Sequence, residues 1–426
     1  MSAEVKPGYK MTEVGVIPED WSVVSMDAIT SHIGDGLHGT PVYSPNGNYF
    51  FINGNNLNDG KIVITSDTKS VDHSEFIKHQ KPISERSILI SINGTIGKLG
   101  LFDSEQVLLG KSAAFLNVKP KISKRYVYQS LKTQIVKQQF FDGLTGSTIG
   151  NLGLSTIRRT KVPLPPMKAE QEAIAEALSN ADALIESLEQ LITKKRQIKQ
   201  GAMQEMLTGK KRLPGFSGEW EVKKLGDLFS FSGGYSASRD QLSSEGHCYL
   251  HYGDIHGSSK MIIDAKDDYQ NIPKLNIPLK RIASNSLLED GDVVFVDASE
   301  DDEGTSKYIV IVNKDDTPFI AGLHTIVAKS MTSELTHEYR RYCFQTADIH
   351  QQFLFFAVGT KVSGISKSNI PKLTLPVPLY PEQAAIAEIL MDMDSEIDAQ
   401  EVKLEKARKI KYGMMHNLLT GKIRLM

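Results

Sequence analysis

Residues 170–210 read EQEAIAEALSNADALIESLEQLITKKRQIKQGAMQEMLTGK, and residues 382–422 read EQAAIAEILMDMDSEIDAQEVKLEKARKIKYGMMHNLLTGK. The two segments align without a gap at an offset of 212 residues, from a shared Glu-Gln start to a shared Leu-Thr-Gly-Lys end. A match of this length indicates duplication of a large structural unit rather than a short-period repeat array. The sequence therefore predicts two related halves in tandem.

Each segment has the pattern of a long helix that packs along one face. Its apolar positions alternate spacings of four and three residues, which is the seam pattern of a coiled coil. We predict two helices of about 60 Å, at 1.5 Å per residue, that pack antiparallel against each other. The alternative is that each helix packs only on its own domain. The predicted seam and partner interface comprises Ile174, Leu178, Ile185, Leu188, Ile192, Ile386, Leu390, Ile397 and Leu404.

The duplication also covers the segments before the helices. Trp21 recurs as Trp220 at an offset of 199 residues, and the run Gln-Gln-Phe at 138–140 recurs at 351–353. Pro166 and Pro381 are placed just before the helices, and the Thr-Gly pairs at 208–209 and 420–421 are typical helix stops. The predicted domains are a globular domain at 1–165, a helix at 166–209, a second globular domain at 210–378 and a C-terminal helix at 379–426.

The two globular domains are predicted to mix helices and strands. Residues 87–92 and 292–296 are short apolar runs typical of buried strands, and residues 126–141 and 339–356 have the period of amphipathic helices. The fold class is therefore α+β: two tandem mixed α/β domains separated by two long antiparallel coiled-coil helices, with pseudo-two-fold symmetry.

Composition places the chain among globular proteins of two or more domains. A length of 426 residues exceeds what one hydrophobic core usually serves. The formal net charge of −2 gives no overall attraction to nucleic acid, so any such contact must come from local patches. Cys248 and Cys343 form no paired motif, and residues 1–10 lack a signal-type apolar run. We expect a cytoplasmic protein without a membrane segment.

The motifs of three catalytic chemistries are missing from the sequence. Gly94-Thr-Ile-Gly-Lys98 is too short for a phosphate-binding loop and has no Ser or Thr after its Lys. There is no Asn/Asp-Pro-Pro-aromatic methylation motif, and no acidic strand accompanies the Glu-x-Lys pairs to complete a nuclease site. The histidines near Cys248 lack the spacing of a zinc site, so no metal ligand is predicted. The sequence thus predicts a protein without catalysis of its own.

Taken in order, these features resemble the specificity (S) subunit of type I restriction-modification systems over essentially the whole chain. The resemblance rests on the Trp21 and Trp220 entry segments, the turn at 92–98, and Gly-Leu-His-Thr at 322–325. It also rests on the proline-rich exits, the Glu-Gln helix starts, and the run Leu-Thr-Gly-Lys-Lys-Arg-Leu-Pro at 207–214. One departure is the longer acidic loop at 297–307, where the first domain has a compact glycine turn.

The resemblance implies a DNA-reading subunit of a larger complex. Each globular domain would be a target-recognition domain that reads one half of a split, asymmetric site in double-stranded DNA. The helices would set the spacer between the half-sites and dock two modification (methyltransferase) subunits, and restriction motor subunits would join this core. The chain itself would need no cofactor, and S-adenosylmethionine, ATP and Mg²⁺ are expected on the partner subunits.

Polar groups between apolar strands are the candidates for DNA contact, since loops supply cations for phosphates and hydrogen-bonding groups for base edges. Ordinary turn chemistry of Gly, Asn and Ser is the competing interpretation of each single residue. The candidates are His38, Thr40, Asn53, Asn55, Asn56, Asn93, Thr95, Lys98, Lys111, Ser147 and Thr148 in the first domain, and Tyr235, Arg239, His251, Tyr252, Lys307, His324, Thr325, Thr360 and Lys361 in the second.

Two other interpretations remain open. A helical protein-interaction scaffold would bind partners without preferring any DNA sequence, and a self-contained restriction or modification enzyme would act alone. Basic runs at 194–199 and 403–409 are either contacts to spacer DNA or a solvated helix face.

The interpretation of the helices as a spacer-setting element predicts a change in the preferred DNA spacer. Insertion or deletion of helical residues between Leu188 and Ile198 shifts the axial position of everything that follows by 1.5 Å per residue. We expect the spacer between methylated half-sites to change while the half-sites stay the same, as measured by sequencing of modified sites. An unaltered spacer would contradict this role.

Overall fold

The computed structural model describes residues 5–145, 150–258, 260–299, 306–357 and 363–425. The chain forms two compact units: Met1–Glu189 with Val402–Met426, called unit 1, and Gln190–Glu401, called unit 2. Each unit contains one globular domain and part of both long helices. The central helix spans Lys168–Met206 and the C-terminal helix spans Tyr380–Leu418, so Pro381, predicted to precede its helix, lies in the first turn instead.

The globular domain of unit 1 is built on a four-stranded antiparallel sheet, in the order Leu99–Leu101, Ser87–Ser91, Ala113–Val118 and Thr30–Asp35. A second sheet, in the order Val107–Leu109, Tyr49–Ile52 and Ser70–Val71, contains one parallel pair. Short strand pairs join Tyr9–Thr12 to Gly15–Pro18, Ser22–Ser25 to Lys161–Leu164, Leu57–Asn58 to Lys61–Ile62, and Leu144–Thr145 to Asn151–Leu152. The helices are Met26–Ile29, His73–His79, Lys124–Leu131, Gln134–Asp142 and Leu154–Arg159.

Unit 2 repeats this architecture. Its main sheet has the order Phe229–Gly233, Thr325–Ser330, Val293–Val296, Tyr308–Val312 and Ile262–Asp264, and its second sheet has the order Leu242–Ser243, Lys274–Leu275, His247–Leu250 and Phe319–Ala321. The parallel pair recurs between His247–Leu250 and Phe319–Ala321. Glu221–Lys224 pairs with Thr374–Val377, and Ala298–Ser299 with Ser363–Gly364. The helices are Leu225–Leu228, Tyr252–His256, His337–Cys343 and Ala347–Phe356.

The predicted central strands are confirmed, and the structure explains their unbroken apolar character. Ile88 and Ile90 face the helical layer, whereas Leu89 lies in the core beneath the second sheet. Phe295 and Val294 divide in the same way in unit 2. Because both faces of these strands are covered, the runs Ile88–Ile90 and Val293–Val296 are apolar throughout instead of alternating with polar residues.

The amphipathic helices predicted at 126–141 and 339–356 are each two helices. The first ends at Leu131, and Thr133 caps the next helix by accepting from the backbone N–H of Val136. Thr346 does the same with Ile349 in unit 2. A hydroxyl at this position competes with helix continuation and favours a new start, a signal that the apolar period hides.

The central and C-terminal helices pair antiparallel in unit 1. Asp182 bonds Lys411, and further along the central helix Glu189 accepts from Arg408 at 2.6 Å. Ile174 and Leu178 are buried against Leu418 of the C-terminal helix as well as against side chains of the globular domain. Both predicted modes of packing, helix on helix and helix on domain, therefore occur together.

The same pairing occurs in unit 2. Lys195 donates to Glu396 at 2.5 Å and Arg196 to Glu401 at 2.6 Å, while Lys199 bonds Asp394. The basic run at 194–199 was predicted to touch DNA or to form a solvated helix face. Lys195, Arg196 and Lys199 bond carboxylates of the opposite helix, and Arg196 stays exposed to solvent. The predicted seam residues Ile192, Ile386, Leu390 and Ile397 of unit 2 are buried. In unit 1 Leu404 is buried, and Ile185 and Leu188 are half-buried.

The Glu-Gln pair at the start of each helix fastens the helix to its globular domain. Gln171 accepts from the backbone N–H of Ser123 at 3.0 Å and donates to the carbonyl of Pro165 at 2.9 Å. Gln383 accepts from Thr336 at 2.9 Å and donates to Pro378 at 2.9 Å. Since both amides are buried, each satisfies backbone groups that water cannot reach.

The glutamates of these pairs bind arginines from the other repeat. In unit 1 Arg424, near the end of the chain, donates to both oxygens of Glu170 and also bonds Asp20 at 2.9 Å. In unit 2 Arg212 donates to both oxygens of Glu382 at 2.7 Å. The segment after each long helix, residues 207–214 in the first repeat and 419–425 in the second, is called its arm. Each arm thus supplies the arginine that pairs with the buried glutamate at the start of the other repeat's helix.

The arms also pack on the two tryptophans of the duplication. The Arg424 guanidinium lies 5.7 Å from the ring centre of Trp21, and Arg212 lies 5.4 Å from that of Trp220. Gly209, three residues before Arg212, has φ +69°, and a side-chain carbon added to it would lie 3.5 Å from the Trp220 ring. A left-handed residue here directs the chain from the helix end onto the tryptophan, which accounts for the Thr-Gly stop.

We expect Arg424→Ala to destabilise unit 1 by about 3–5 kcal/mol, because Glu170 is left as an uncompensated buried charge. Urea unfolding measures the effect. The control is Arg408→Ala, which removes an exposed, solvent-screened ion pair to Glu189 and should leave the urea midpoint close to that of the unsubstituted chain. Equal losses in the two variants would contradict the importance of burial at Glu170.

Candidate nucleic-acid interface

Four polar loops of unit 1 meet at the ends of its two sheets. The backbone N–H of Gly54 donates to Ser112 Oγ at 2.9 Å, and that of Ile92 donates to the Ser112 carbonyl at 2.9 Å. Leu37 donates to the Leu109 carbonyl at 2.7 Å, which draws the loop after Asp35 to the same place. These loops come from distant parts of the sequence, so the sheets position them as one surface.

The unit 1 surface presents some of the predicted residues and uses others internally. Asn53 accepts from Ser112 at 2.9 Å, and Asn56 accepts from the Asn53 backbone and donates to the Val63 carbonyl, so its amide holds the turn. Asn93 donates to the Lys111 carbonyl at 3.5 Å. The exposed candidates of these loops are His38, Thr40, Asn55, Thr95 and Lys111.

The equivalent loops meet in unit 2. Tyr235 donates through its backbone to Ala321 at 2.7 Å, and Gly322 donates to Leu250 at 2.9 Å. A side-chain carbon on Gly234 would lie 2.0 Å from the Gly322 carbonyl, so only glycine allows this approach. The strand ends at Gly233, Leu250 and Ala321 therefore deliver their loops to one surface.

The unit 2 surface carries a cluster of aromatic and charged side chains around the buried ring of His251. The rings of His251 and Tyr252 are 4.6 Å apart, and Tyr252 meets His324 edge-on at 5.4 Å. His324 pairs with Asp297 at 3.1 Å. Arg239 bonds Asp254 at 3.1 Å. Rings for stacking and a half-exposed Arg suit contact with base edges and phosphates.

Two features set the chemistry of this cluster. His324 has φ +57°, a left-handed conformation that is uncommon outside glycine and that often marks functional sites. Burial lowers the pKa of His251, and the positive charge of Arg239 adds to this effect. His251 is therefore neutral at pH 7, and its Nδ1 accepts from the Gly253 backbone.

Three predicted residues have other contacts. The amine of Lys307 donates to the His256 carbonyl, and the hydroxyl of buried Thr325 donates to Gly322. Lys98 lies beside a cavity of about 550 Å³ in unit 1, next to the C-terminal helix. The candidates Ser147, Thr148, Thr360 and Lys361 lie outside the described residues.

Sequence reasoning missed the carboxylates that bond the candidate side chains His38, Arg239 and His324. Asp35 bonds His38 at 2.6 Å, and Asp254 and Asp297 play the same part for Arg239 and His324. A carboxylate three residues before a histidine was the available signal for Asp35. The partners of Arg239 and His324 are 15 and 27 residues distant, and no local pattern indicates them.

The described part of the chain holds no group of three or more His, Cys, Asp or Glu side chains arranged for a metal ion. Cys248, considered with its neighbouring histidines for zinc, is buried in the strand His247–Leu250. Among the helices that the structure describes, none has the length and apolar character to span a bilayer.

A family model described as the type I restriction modification DNA specificity domain matches this sequence twice, at residues 18–200 and 217–408. The chain belongs to this family. The two matches correspond to the two halves of the duplication and together cover most of the chain. The specificity-domain assignment confirms the resemblance on which the domain expectations rest.

Curated relatives align with the full length of this family member. It is 25% identical to a putative type I restriction enzyme MjaX specificity subunit of Methanocaldococcus jannaschii, over 98% of this chain and 97% of the relative. It is 26% identical to the MjaVIII specificity subunit of the same organism, over 96% and 94%.

A solved structure supports the fold of this specificity-domain protein. The S subunit of a type I restriction-modification system from M. genitalium superimposes with a TM-score of 0.57 at 18% identity, over 97% of this chain and 98% of that chain. The α+β plan of two mixed domains and two long helices is therefore confirmed.

We expect His324→Gly to separate recognition from stability. Glycine relieves the positive φ but gains freedom in the unfolded chain, so unfolding free energy changes by no more than about 1 kcal/mol. Loss of the ring should weaken DNA binding by about 1–3 kcal/mol, measured by fluorescence anisotropy of the partner-bound complex. Asp316→Gly, at another left-handed residue of unit 2 with φ +52°, is the control and should leave binding unchanged.

Proposed function

We propose that this protein is the sequence-specific DNA-binding subunit of a type I restriction-modification complex. Each globular domain reads one half of a split, asymmetric site in double-stranded DNA. The carrying observation is that each unit gathers polar loops from distant sequence positions onto one surface at the ends of its sheets. Membership of the specificity-domain family supports assigning these surfaces to DNA.

The difference between the two surfaces supports an asymmetric site. The unit 1 surface presents Asn55, Thr95 and Lys111, whereas the unit 2 surface presents the cluster of His324 and Arg239. Amide and hydroxyl groups and a guanidinium favour different base edges. Because the frameworks are duplicated while these side chains differ, the two domains read different half-sites.

The long helices dock the partner subunits in this proposal. In unit 2 the central helix exposes Leu191 and Ile198, which are seven residues apart and therefore lie on one face. In unit 1 the C-terminal helix exposes Val402 and Ile410. Exposed large apolar side chains beside a filled helix seam suit docking of another protein. We assign these faces to two modification subunits, with restriction motor subunits joining that core.

Catalysis belongs to the partners in this proposal. The modification subunits would hold S-adenosylmethionine, and the motor subunits would hold ATP and Mg²⁺. The cytoplasm, where chromosomal DNA and these partners meet, is the compartment that fits.

Co-expression with a modification subunit tests the function directly. DNA exposed to the purified complex is sequenced for methylated positions, with and without this chain. A split asymmetric motif that depends on this chain supports the proposal. Complex formation with methylation that is indifferent to this chain would favour a helical scaffold without DNA specificity.

We expect single substitutions to relax one half-site each. Lys111→Ala, on the unit 1 surface, should weaken binding or discrimination through one half of the motif, and Arg239→Ala should do so through the other half. The cost is about 1–3 kcal/mol for a base contact, or a unit decrease in the salt slope for a phosphate contact. Binding to duplexes with one or the other half-site scrambled measures the effect.

The matched control for these variants is Lys266→Ala, which removes an exposed ion pair to Asp315 in unit 2. Its binding should equal that of the unmodified chain. If Lys111→Ala and Arg239→Ala affect the same half-site, the assignment of one half-site to each domain is wrong.

A further inference from the structure

One carboxylate of the central helix joins three elements of unit 1. Asp182 accepts through Oδ2 from Nε2 of Gln129, at 2.9 Å, in the helix Lys124–Leu131 of the globular domain. Through Oδ1 it accepts from Lys411 of the C-terminal helix and, at 3.5 Å, from Lys132. One side chain therefore connects the domain to both long helices.

A carboxylate of the C-terminal helix makes the same connections in unit 2. Asp394 accepts through Oδ2 from the hydroxyl of Tyr342, at 2.7 Å, in the helix His337–Cys343. Through Oδ1 it accepts from Lys199 of the central helix. The Lys199 amine also lies 5.4 Å from the centre of the Tyr342 ring.

The two arrangements are equivalent in the duplication. Asp182 and Asp394 are related by the offset of 212 residues, as are Lys199 and Lys411, while Gln129 and Tyr342 follow the offset of 213 that precedes the helices. In both units Oδ2 accepts from the globular domain and Oδ1 accepts from a lysine of the opposite helix, and in unit 1 Lys132 of the domain also reaches Oδ1. The domain-side donor differs between the halves, as amide or phenol, although the geometry is the same.

These contacts lie in surroundings that strengthen them. The side chains of Lys411 and Lys199 are 15% and 16% exposed. Burial alone would raise the pKa of Asp182, but the hydrogen bonds from Lys411 and Gln129 outweigh it and lower the pKa. Burial and the bond to Asp394 raise the pKa of Tyr342. Asp182 is thus charged and Tyr342 protonated at neutral pH, as their bonding requires.

The position of these contacts determines what they restrain. The buried glutamines Gln171 and Gln383 hold each domain near the start of a helix, and contacts gathered at one end of a helix restrain the angle of a domain less than contacts spaced along it. Asp182 lies eleven residues beyond Gln171, and Asp394 eleven residues beyond Gln383, about 16 Å along the helix at 1.5 Å per residue. The contacts of these carboxylates, together with the exposed ion pair of Lys61 with Glu186 in unit 1, restrain the angle of the domain on the helix.

We infer that Asp182 with Gln129, and Asp394 with Tyr342, are positioning residues that set the angle of each recognition domain and so the DNA spacer that the subunit accepts. The inference rests on the proposed DNA-reading function. Successive base pairs are 3.4 Å apart, so rotation of a domain displaces its recognition loops relative to the neighbouring base pairs. The loops themselves, and hence the half-site sequences, are untouched by these contacts.

Tyr342→Phe is the sharpest variant, because it removes one hydroxyl and leaves the ion pair of Asp394 with Lys199 in place. Gln129→Leu is its counterpart in unit 1. Asp394→Ala and Asp182→Ala remove all the contacts of each carboxylate. The matched controls are Glu396→Ala, which breaks the bond to Lys195 in unit 2, and Glu189→Ala, which breaks the bond to Arg408 in unit 1. Both control bonds join helix to helix.

The experiment measures methylation by the complete complex on duplexes that keep both half-sites and vary the spacer by one base pair in each direction. The chain without substitutions should favour one spacer length. Tyr342→Phe and Gln129→Leu should reduce that preference about tenfold, the factor that corresponds to loss of one hydrogen bond to a charged group. The preferred bases within each half-site should stay the same, and both controls should keep the original spacer preference.

The outcomes distinguish this inference from the function on which it rests. An unchanged spacer preference in Tyr342→Phe and Gln129→Leu, with a split motif retained, overturns the positioning role alone. Relaxed spacing in the control variants as well overturns it too, because general loosening of the helix pair would then be the cause. Absence of any split motif with the unmodified chain overturns the proposed function itself.

Discussion

The exchange of arginines between the repeats is the interaction on which the two units depend. Glu170 and Glu382 are buried at the starts of the long helices, where the free-energy cost of burying a charged carboxylate without a partner is high. Arg424 and Arg212, each from the other repeat, supply the paired donors. The glutamate of each repeat pairs with the arginine of the other repeat. Each folded unit therefore combines residues of both repeats and does not coincide with the duplicated segment.

This exchange also explains why the long helices pair as they do. An arm that leaves the end of one helix must reach the start of the other, and only antiparallel helices bring those ends together. The interhelical bonds in each unit then follow from register. Ionic contacts at partly exposed positions contribute little stability, so burial of the apolar seam residues Ile174, Leu178, Ile386 and Leu390 contributes more to the stability of the helix pair. The buried glutamate pairs add little net stability, but loss of either partner is costly.

The sequence predicted those parts of the fold that depend on period and repetition. The helix at Lys168–Met206, the strand at Ser87–Ser91 and the duplicated plan were all evident. A seam with spacings of four and three residues indicates a helix, and a short apolar run such as Ile88–Ile90 indicates a buried strand. The break at Thr133 in the helix predicted at 126–141 was missed because the apolar residues on its two sides keep one helical period. The bonds of Asp182 and Asp394 were missed because their partners are 50 or more residues away in sequence.

The sequence predicted which loops form the candidate site. It did not predict which of their side chains are exposed and which bond within the protein. Asn53 and Asn56 are of a residue type that reads bases. The Asn53 amide nevertheless accepts from Ser112, and the Asn56 amide accepts from the Asn53 backbone and so holds a turn. Asn55 and Lys111, with similar sequence surroundings, are exposed. Whether a polar side chain faces outward depends on which neighbouring backbone groups lack partners, and distant strands decide that.

The arms also set an order of completion during synthesis. Unit 2 is one continuous stretch, Gln190–Glu401, whereas unit 1 needs Arg424 to cover Glu170. At the ribosome's pace of about 5–20 residues per second, Glu170 waits roughly 10–50 s for its partner. The domain that is synthesised first is therefore completed last. Until Arg424 is synthesised, the carboxylate of Glu170 at the start of the central helix remains hydrated and without its arginine.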